Sequence, residues 1–172
     1  RNPLLGRNFE YYSEDPVISG KTAAAMVRGV QTNGVGATIK HFALNNQETN
    51  RMANDAQVDQ QTSREMYLKG FEIAVRESQP WAVMTSYNKI NGTYTQQSHD
   101  LLTGFLRDEW GYQGIVMTDW GNKAGTVNAV HAGNDLMEPG AASETQRIVE
   151  AVNNGTLDVA DLDRNVRRML EY

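Results

Sequence analysis

The stretch GYQGIVMTDWG (111–121) begins on turn residues, runs through the β-branched pair Ile115-Val116, and ends on a carboxylate beside an indole. The run Gly114–Trp120 shows no regular polar alternation, and a strand of that kind is buried on both faces, as in a parallel sheet. Three more runs have the same form: Val35–Phe42 (VGATIKHF), Ala82–Asn88 (AVMTSYN) and the shorter Asn134–Glu138 (NDLME). Each starts apolar and ends in groups that carry chemistry, namely Lys40-His41, Tyr87-Asn88, Asp119-Trp120 and Glu138.

The segments between them have helical period. Ala23, Met26, Val27 and Val30 fall at i, i+3, i+4 and i+7, a single apolar stripe. Ser13 reads as the N-cap of that helix, with Pro16 early in its first turn. Thr62 to Glu65 reads as a capping box ahead of an inner face made by Tyr67, Phe71, Ala74 and Val75. Leu101, Leu102, Phe105 and Leu106 mark the next helix, capped at Ser98 and closed by Gly111. Two closing helices are expected at 143–154, with a box at Ser143 and Gln146, and at 158–171. The last buries Leu162, Val166, Met169 and Leu170 and turns Arg164, Arg167 and Arg168 outward.

Alternating strands and helices imply parallel strands with right-handed crossovers. Functional residues at the C-terminal strand ends suit a (β/α)8 barrel or an open doubly wound sheet. No Gly-rich phosphate loop follows any strand, so the barrel is favoured.

The composition narrows the function. Across 172 residues there are 16 Lys+Arg against 21 Asp+Glu, a net charge of −5, and no cysteine. Mild acidity without a basic tract argues against a nucleic-acid partner. No apolar run approaches the ~20 residues of a membrane span. Without cysteine there is no disulfide, thiolate metal site or thiol nucleophile. His41, His99 and His131 lie at no ligand-like spacing, so no metal or other cofactor is expected.

Asp119 is the first candidate residue. A strand-end carboxylate beside an aromatic face is suited to attack a sugar's anomeric carbon while the indole packs on the pyranose. A strand-end Asp also caps following helices, so both readings stay open on this motif alone. Lys40 and His41 open a segment, KHFALNNQETNR (40–51), dense in amides and charges and suited to a polyhydroxylated ligand. Tyr87 can orient a neighbouring carboxylate by hydrogen bond or pack under a loop as ordinary core, and Asn88 can bind a sugar hydroxyl. Arg7 lies among acids in GRNFEYYSEDP (6–16).

Together GRNFEYYSEDP (6–16), KHFALNNQETNR (40–51), MTSYNKINGTY (84–94), GYQGIVMTDWG (111–121) and AGNDLMEPG (132–140) closely resemble the catalytic barrel of glycoside hydrolase family 3, in its β-glucosidase/β-xylosidase-like branch. The resemblance implies retaining hydrolysis of β-glycosides, with Asp119 as the nucleophile. It further implies that Arg7, Lys40, His41 and Arg51 hold the hydroxyls of the non-reducing-end sugar, with Tyr87 beside the nucleophile and Trp120 as the aromatic wall. The family's N-acetylglucosaminidase branch uses a His/Asp pair on a barrel loop. Here the one such pair, His99-Asp100, sits where a helix should start.

The same resemblance implies an incomplete barrel. About four parallel strands with crossover helices and two closing helices are expected over 1–172, where a full barrel needs ~250 residues and eight strands. The early strands, and an Asp they contribute to sugar binding, are not in this sequence. In this branch the acid/base is a Glu from a second domain, and none of Glu48, Glu109 or Glu138 matches it. Beginning at Arg1 without a methionine and stopping at Tyr172, the chain reads as a piece of a longer polypeptide. Its expected partners are a β-glucoside or oligosaccharide, and either the remainder of that polypeptide or a second copy pairing with open strand edges. The competing functional reading is a carbohydrate-binding or scaffold fragment without turnover. A doubly wound sheet gripping phosphate through Lys40-His41 ranks below it.

Overall fold

The computed structural model describes residues 2–121 and 123–171. Its centre is a parallel sheet in the order β1 (Thr38–Phe42), β3 (Ala82–Thr85), β6 (Ile115–Met117). Helices cross between these strands: α1 (Pro16–Gln31) precedes β1 and α3 (Lys69–Ser78) leads into β3. A π-type helix, Asp100–Glu109, leads into β6. Then follow α4 (Thr126–Ala132), α5 (Ala142–Asn153) and α6 (Val159–Glu171). The fold is therefore α/β with a parallel sheet that does not close on itself. Phe42, Leu68, Val75, Val83, Leu102, Leu106, Trp110 and Val116 fill the space between sheet and helices.

The expected fourth strand is reduced to a single parallel bridge, Met117 to Leu136. The cause is Asp135. Its side chain accepts from the Val116 N–H at 2.8 Å, so a carboxylate stands where a strand carbonyl would continue the ladder. Its own N–H and that of Leu136 both return to the Val116 carbonyl, at 2.7 and 3.1 Å.

Several local expectations are corrected. The cap of α1 is Asp15, which accepts from Val17 and Ile18, with Pro16 in the first position; Ser13 instead accepts from the Asp15 N–H. The helix expected at Thr62 starts earlier, as α2 (Gln60–Thr62), capped by Asp59. It continues through a π-type stretch, Ser63–Leu68, and Glu65 accepts from Gln61 instead of closing a capping box. Gln146 likewise bonds Glu150, and α5 has Ala141 at its N-cap, without a side-chain cap bond. Arg168 is not turned outward but pairs with the buried Asp135, while Val166, Met169 and Leu170 remain exposed. A second small sheet was not foreseen. In it β2 (Asp55–Ala56) runs parallel to β4 (Lys89–Ile90), which turns through Asn91-Gly92 into antiparallel β5 (Thr93–Tyr94). Asn-Gly between short apolar runs is a strong hairpin signal.

Helices α1 and α3 meet through glycines. A Cβ on Gly20 would stand 2.8 Å from both the Gly70 carbonyl and the Ile73 Cβ. Overpacking costs about 1–3 kcal/mol and outweighs the ~1 kcal/mol helix-propensity gain. Gly20→Ala is therefore expected to lower the urea midpoint. Gly29→Ala, on the same helix with nothing within 4 Å of the added carbon, is expected to leave it unchanged or raise it. Equal midpoints for the two variants would show that the close approach of the helices is not needed.

Candidate active site

The expected residues converge at the C-terminal end of the sheet. β6 ends at Met117, and Thr118, fully buried, donates its N–H to the Leu136 carbonyl at 3.0 Å and accepts from Glu138 N. Asp119 follows on this fixed base. Gly121 has φ +78°, a conformation that suits glycine, and its N–H bonds the Glu138 carbonyl at 3.0 Å.

Lys40 and His41 are adjacent on β1, where a regular strand would send them to opposite faces. The register resolves this: Ile39 pairs with Val83 and Phe42 with Thr85, so three steps on β1 match two on β3. The extra residue is a bulge, which re-aims side chains. His41 is buried, with Nε2 3.7 Å from Asp119 Oδ2 and Nδ1 2.6 Å from the Tyr11 hydroxyl. The Trp120 N–H donates to Asp119 Oδ1 at 2.8 Å.

Tyr87 is buried and donates its hydroxyl to the Trp120 carbonyl at 2.6 Å, so it fixes the chain beside Asp119. Burial and the neighbouring Asp119 carboxylate push its phenol up to about 12, against Arg51 and Arg7. The Arg51 guanidinium lies 4.8 Å from the centre of the Tyr87 ring and pairs with Glu48 at 2.9 Å. The Trp120 side of the cluster faces solvent, with that residue 63% exposed. Asn88 is not available to a sugar. It is fully buried and donates to the Ala43 and Lys89 carbonyls, tying the end of β3 to the loop after β1.

Two residues that matter here were not singled out from the sequence, and both lie on the turn Asn8–Glu10 or directly after it. Glu10 binds two of the cations expected on the sugar, Lys40 at 2.7 Å and Arg7 at 2.5 Å. Burial opposes its charge, but Lys40, Arg7 and His41 hold its carboxyl below the usual range. Tyr11 holds the far side of His41. Their signal was an acid and an aromatic within the same stretch as Arg7, which composition alone reads as the approach to a helix.

Of the three glutamates weighed from the sequence, Glu138 contributes backbone bonds to Thr118 and Gly121, and the other two are held by cations. Glu48 is held by Asn45 and Arg51. Glu109 is gripped by both terminal nitrogens of Arg64 at the far end of its helix. His99 begins the helix it was expected to begin, where Ser98 Oγ accepts from Leu101 N, and its ring lies against His131.

Residues 1–172 match the family model described as glycosyl hydrolase family 3 N terminal domain. The chain belongs to glycosyl hydrolase family 3. Among its family 3 relatives, β-glucosidase A of Butyrivibrio fibrisolvens is 50% identical over 95% of this chain and 20% of its own length. An exo-α-(1→6)-L-arabinopyranosidase of Bifidobacterium longum is 48% identical over 99% of this chain and 22% of its own. The structure of β-glucosidase 3B from Thermotoga neapolitana in complex with glucose aligns with a TM-score of 0.96 and 53% identity, over 99% of this chain and 25% of that one. The chain thus spans about a fifth to a quarter of the relatives it matches.

Burial first, then Lys40 and Arg7, push the His41 imidazole down to about 4, against the pull of Asp119 and Glu10. The folded state therefore resists a proton that the unfolded chain accepts at its ordinary value of 6.5. This contribution to stability is complete above that value and declines as pH falls from about 6.5 towards 4, by up to about 3 kcal/mol. Denaturation midpoints measured across this window should fall with acidity, and His41→Asn should flatten the fall. An equally steep variant would place the acid sensitivity elsewhere.

Proposed function

We propose that the protein carrying this chain hydrolyses terminal non-reducing β-D-glucosyl or β-xylosyl residues with retention of configuration, using Asp119 as the nucleophile. The observation that carries this reading is the surroundings of the Asp119 carboxylate. It sits at a strand end with the His41 Nε2 3.7 Å away, and Lys40 and Arg7 gathered beside that imidazole on Glu10. In the first step an Asp119 oxygen bonds to C1 as the C1–O bond to the leaving group breaks, and an acid protonates the departing oxygen. Water then attacks C1, giving its proton to the same group and releasing Asp119. Arg7, Lys40, His41 and Arg51 grip the sugar hydroxyls and can tighten as charge develops on the ring, while Trp120 walls one face.

A retaining site holds its two carboxyl groups about 5–5.5 Å apart. Glu10 and Glu48 are committed to cations around the pocket, and Glu109 to Arg64. As the family resemblance implies, the acid/base is assigned to a second domain beyond this chain, and residues 1–172 are read as part of a catalytic barrel. By themselves they are inert or poorly active. This also supports the second reading, a sugar-binding fragment without turnover in isolation. The outer edge of β1, which pairs only with β3 among the described strands, and the groove between α1, α3 and β1 take the remaining barrel strands of the same polypeptide. Isolated residues 1–172 are accordingly expected to sediment as dimers or larger species, and a monodisperse monomer would contradict the open-edge reading.

Incubation of the complete protein with a 2-deoxy-2-fluoro glucoside bearing a good leaving group, followed by peptide mass analysis, should place the label on the peptide containing Asp119. A label on any other carboxylate sinks the assignment. Aryl β-D-glucoside, β-D-xyloside and α-L-arabinopyranoside assayed side by side then rank the substrates, since the last two lack the hydroxymethyl group.

A further inference from the structure

His41 is a neutral donor or a neutral acceptor depending on which ring nitrogen carries its single proton, and the geometry bears on that choice. Its Nδ1 lies 2.6 Å from the Tyr11 hydroxyl, the rings tilted by 55° with centroids 6.2 Å apart. Its Nε2 lies 3.7 Å from Asp119 Oδ2. If Nδ1 carried the proton, the Nε2 lone pair would face a carboxylate and a polar nitrogen would be buried against a like partial charge. If Nε2 carries it, a partly positive N–H stands 3.7 Å from the carboxylate, too long for a hydrogen bond but attractive, and Nδ1 accepts from a hydroxyl that can donate. Both contacts are then favourable.

We propose that Tyr11 is a positioning residue: its hydroxyl donates to Nδ1 of His41 and so holds the imidazole as the Nε2–H tautomer, with that N–H directed into the space beside Asp119. The ring is 2% exposed and so has little room to reorient. Lys40 and Arg7 oppose a second proton on it, while Asp119 and Glu10 favour one, so the hydroxyl at Nδ1 adds to the side that keeps His41 neutral. A neutral His41 offers one directed donor and leaves the Asp119 charge unneutralised. The tautomer follows from this chain's geometry alone; its use on a sugar hydroxyl rests on the glycosidase reading.

The test uses the complete protein labelled with 15N-histidine, with long-range 15N–1H spectra recorded at neutral pH without sugar and His41 assigned by its loss in His41→Asn. The wild type should show a protonated Nε2 and a bare Nδ1. Tyr11→Phe should lose the single tautomer. It should also lower kcat/KM for an aryl glucoside about tenfold, the effect of one directed hydrogen bond. Should Tyr11→Phe fail to fold, 3-fluorotyrosine at position 11, still mostly protonated at neutral pH, supplies a stronger donor of similar shape and should shift the Nδ1 resonance. A wild-type Nδ1–H, or a tautomer and resonance indifferent to both changes, overturns the proposal. An intact tautomer effect in a protein that hydrolyses no glycoside overturns the glycosidase reading instead and leaves the Tyr11–His41 coupling standing.

Discussion

The buried carboxylate of Asp135 is the constraint on which the rest depends. Its side chain has no exposed surface and is bound by Arg107 at 2.7 Å, Arg168 at 3.3 Å and the Val116 N–H at 2.8 Å. Arg107 comes from the helix before β6 and Arg168 from α6, so one anion joins β6 to two helices. Arg107 also donates to the Tyr112 and Gly114 carbonyls, which fixes the turn into β6. A buried charge without partners is costly, and breaking such a set by removing one member is typically worth about 3–5 kcal/mol. The position of Asp119, four residues past Ile115, is inherited from that anchorage.

Charge around Asp119 is arranged in layers. Glu10 is not a free acid beside Asp119's neighbours; it neutralises part of the Arg7 and Lys40 charge and fixes their direction. Without such an anion, two cations beside a buried imidazole would repel each other. Arg51 is held in the same way by Glu48 and by the face of Tyr87. Every expected cation of the site thus has a local counter-ion, with donor atoms left over for hydroxyl groups, since guanidinium and ammonium carry five and three. That division between holding and binding suits a neutral, polyhydroxylated ligand better than phosphate, which would call for uncompensated positive charge.

Much of this was legible because strand ends carry their chemistry in order. Apolar runs ending at Lys40-His41, Tyr87 and Asp119-Trp120 indicate parallel strands delivering side chains to one face, and the helices α5 and α6 match the expected ranges closely. What escaped depends on contacts distant in sequence. The β1 bulge is a property of its register against β3, invisible in the spacing of Thr38–Phe42. Asp135 looked like part of a strand because its role as a substitute ladder acceptor appears only when Val116 is beside it. The exposed stripe of α6 was read as core because an apolar period shows that a face is suited to burial, and says nothing of whether the covering surface lies within the same 172 residues.

The edge strand makes the last point. In this sheet β6 sits between β3 and the Leu136 bridge, whereas β1 has one hydrogen-bonded neighbour among the described strands. The nucleophile candidate therefore follows a strand paired on both sides, while Lys40 and His41 lie on a strand paired on one side only. A bulge at such an edge blunts pairing and permits local adjustment. The turn bearing Arg7, Glu10 and Tyr11 compensates by clamping the end of β1 from outside the sheet, through Lys40 and His41. Whatever strand pairs with the free edge of β1 would stiffen those two residues without touching Asp119. The placements of Lys40-His41 and of Asp119 are thus separable mechanically, and the Lys40-His41 side is the one that depends on what covers the free edge of β1.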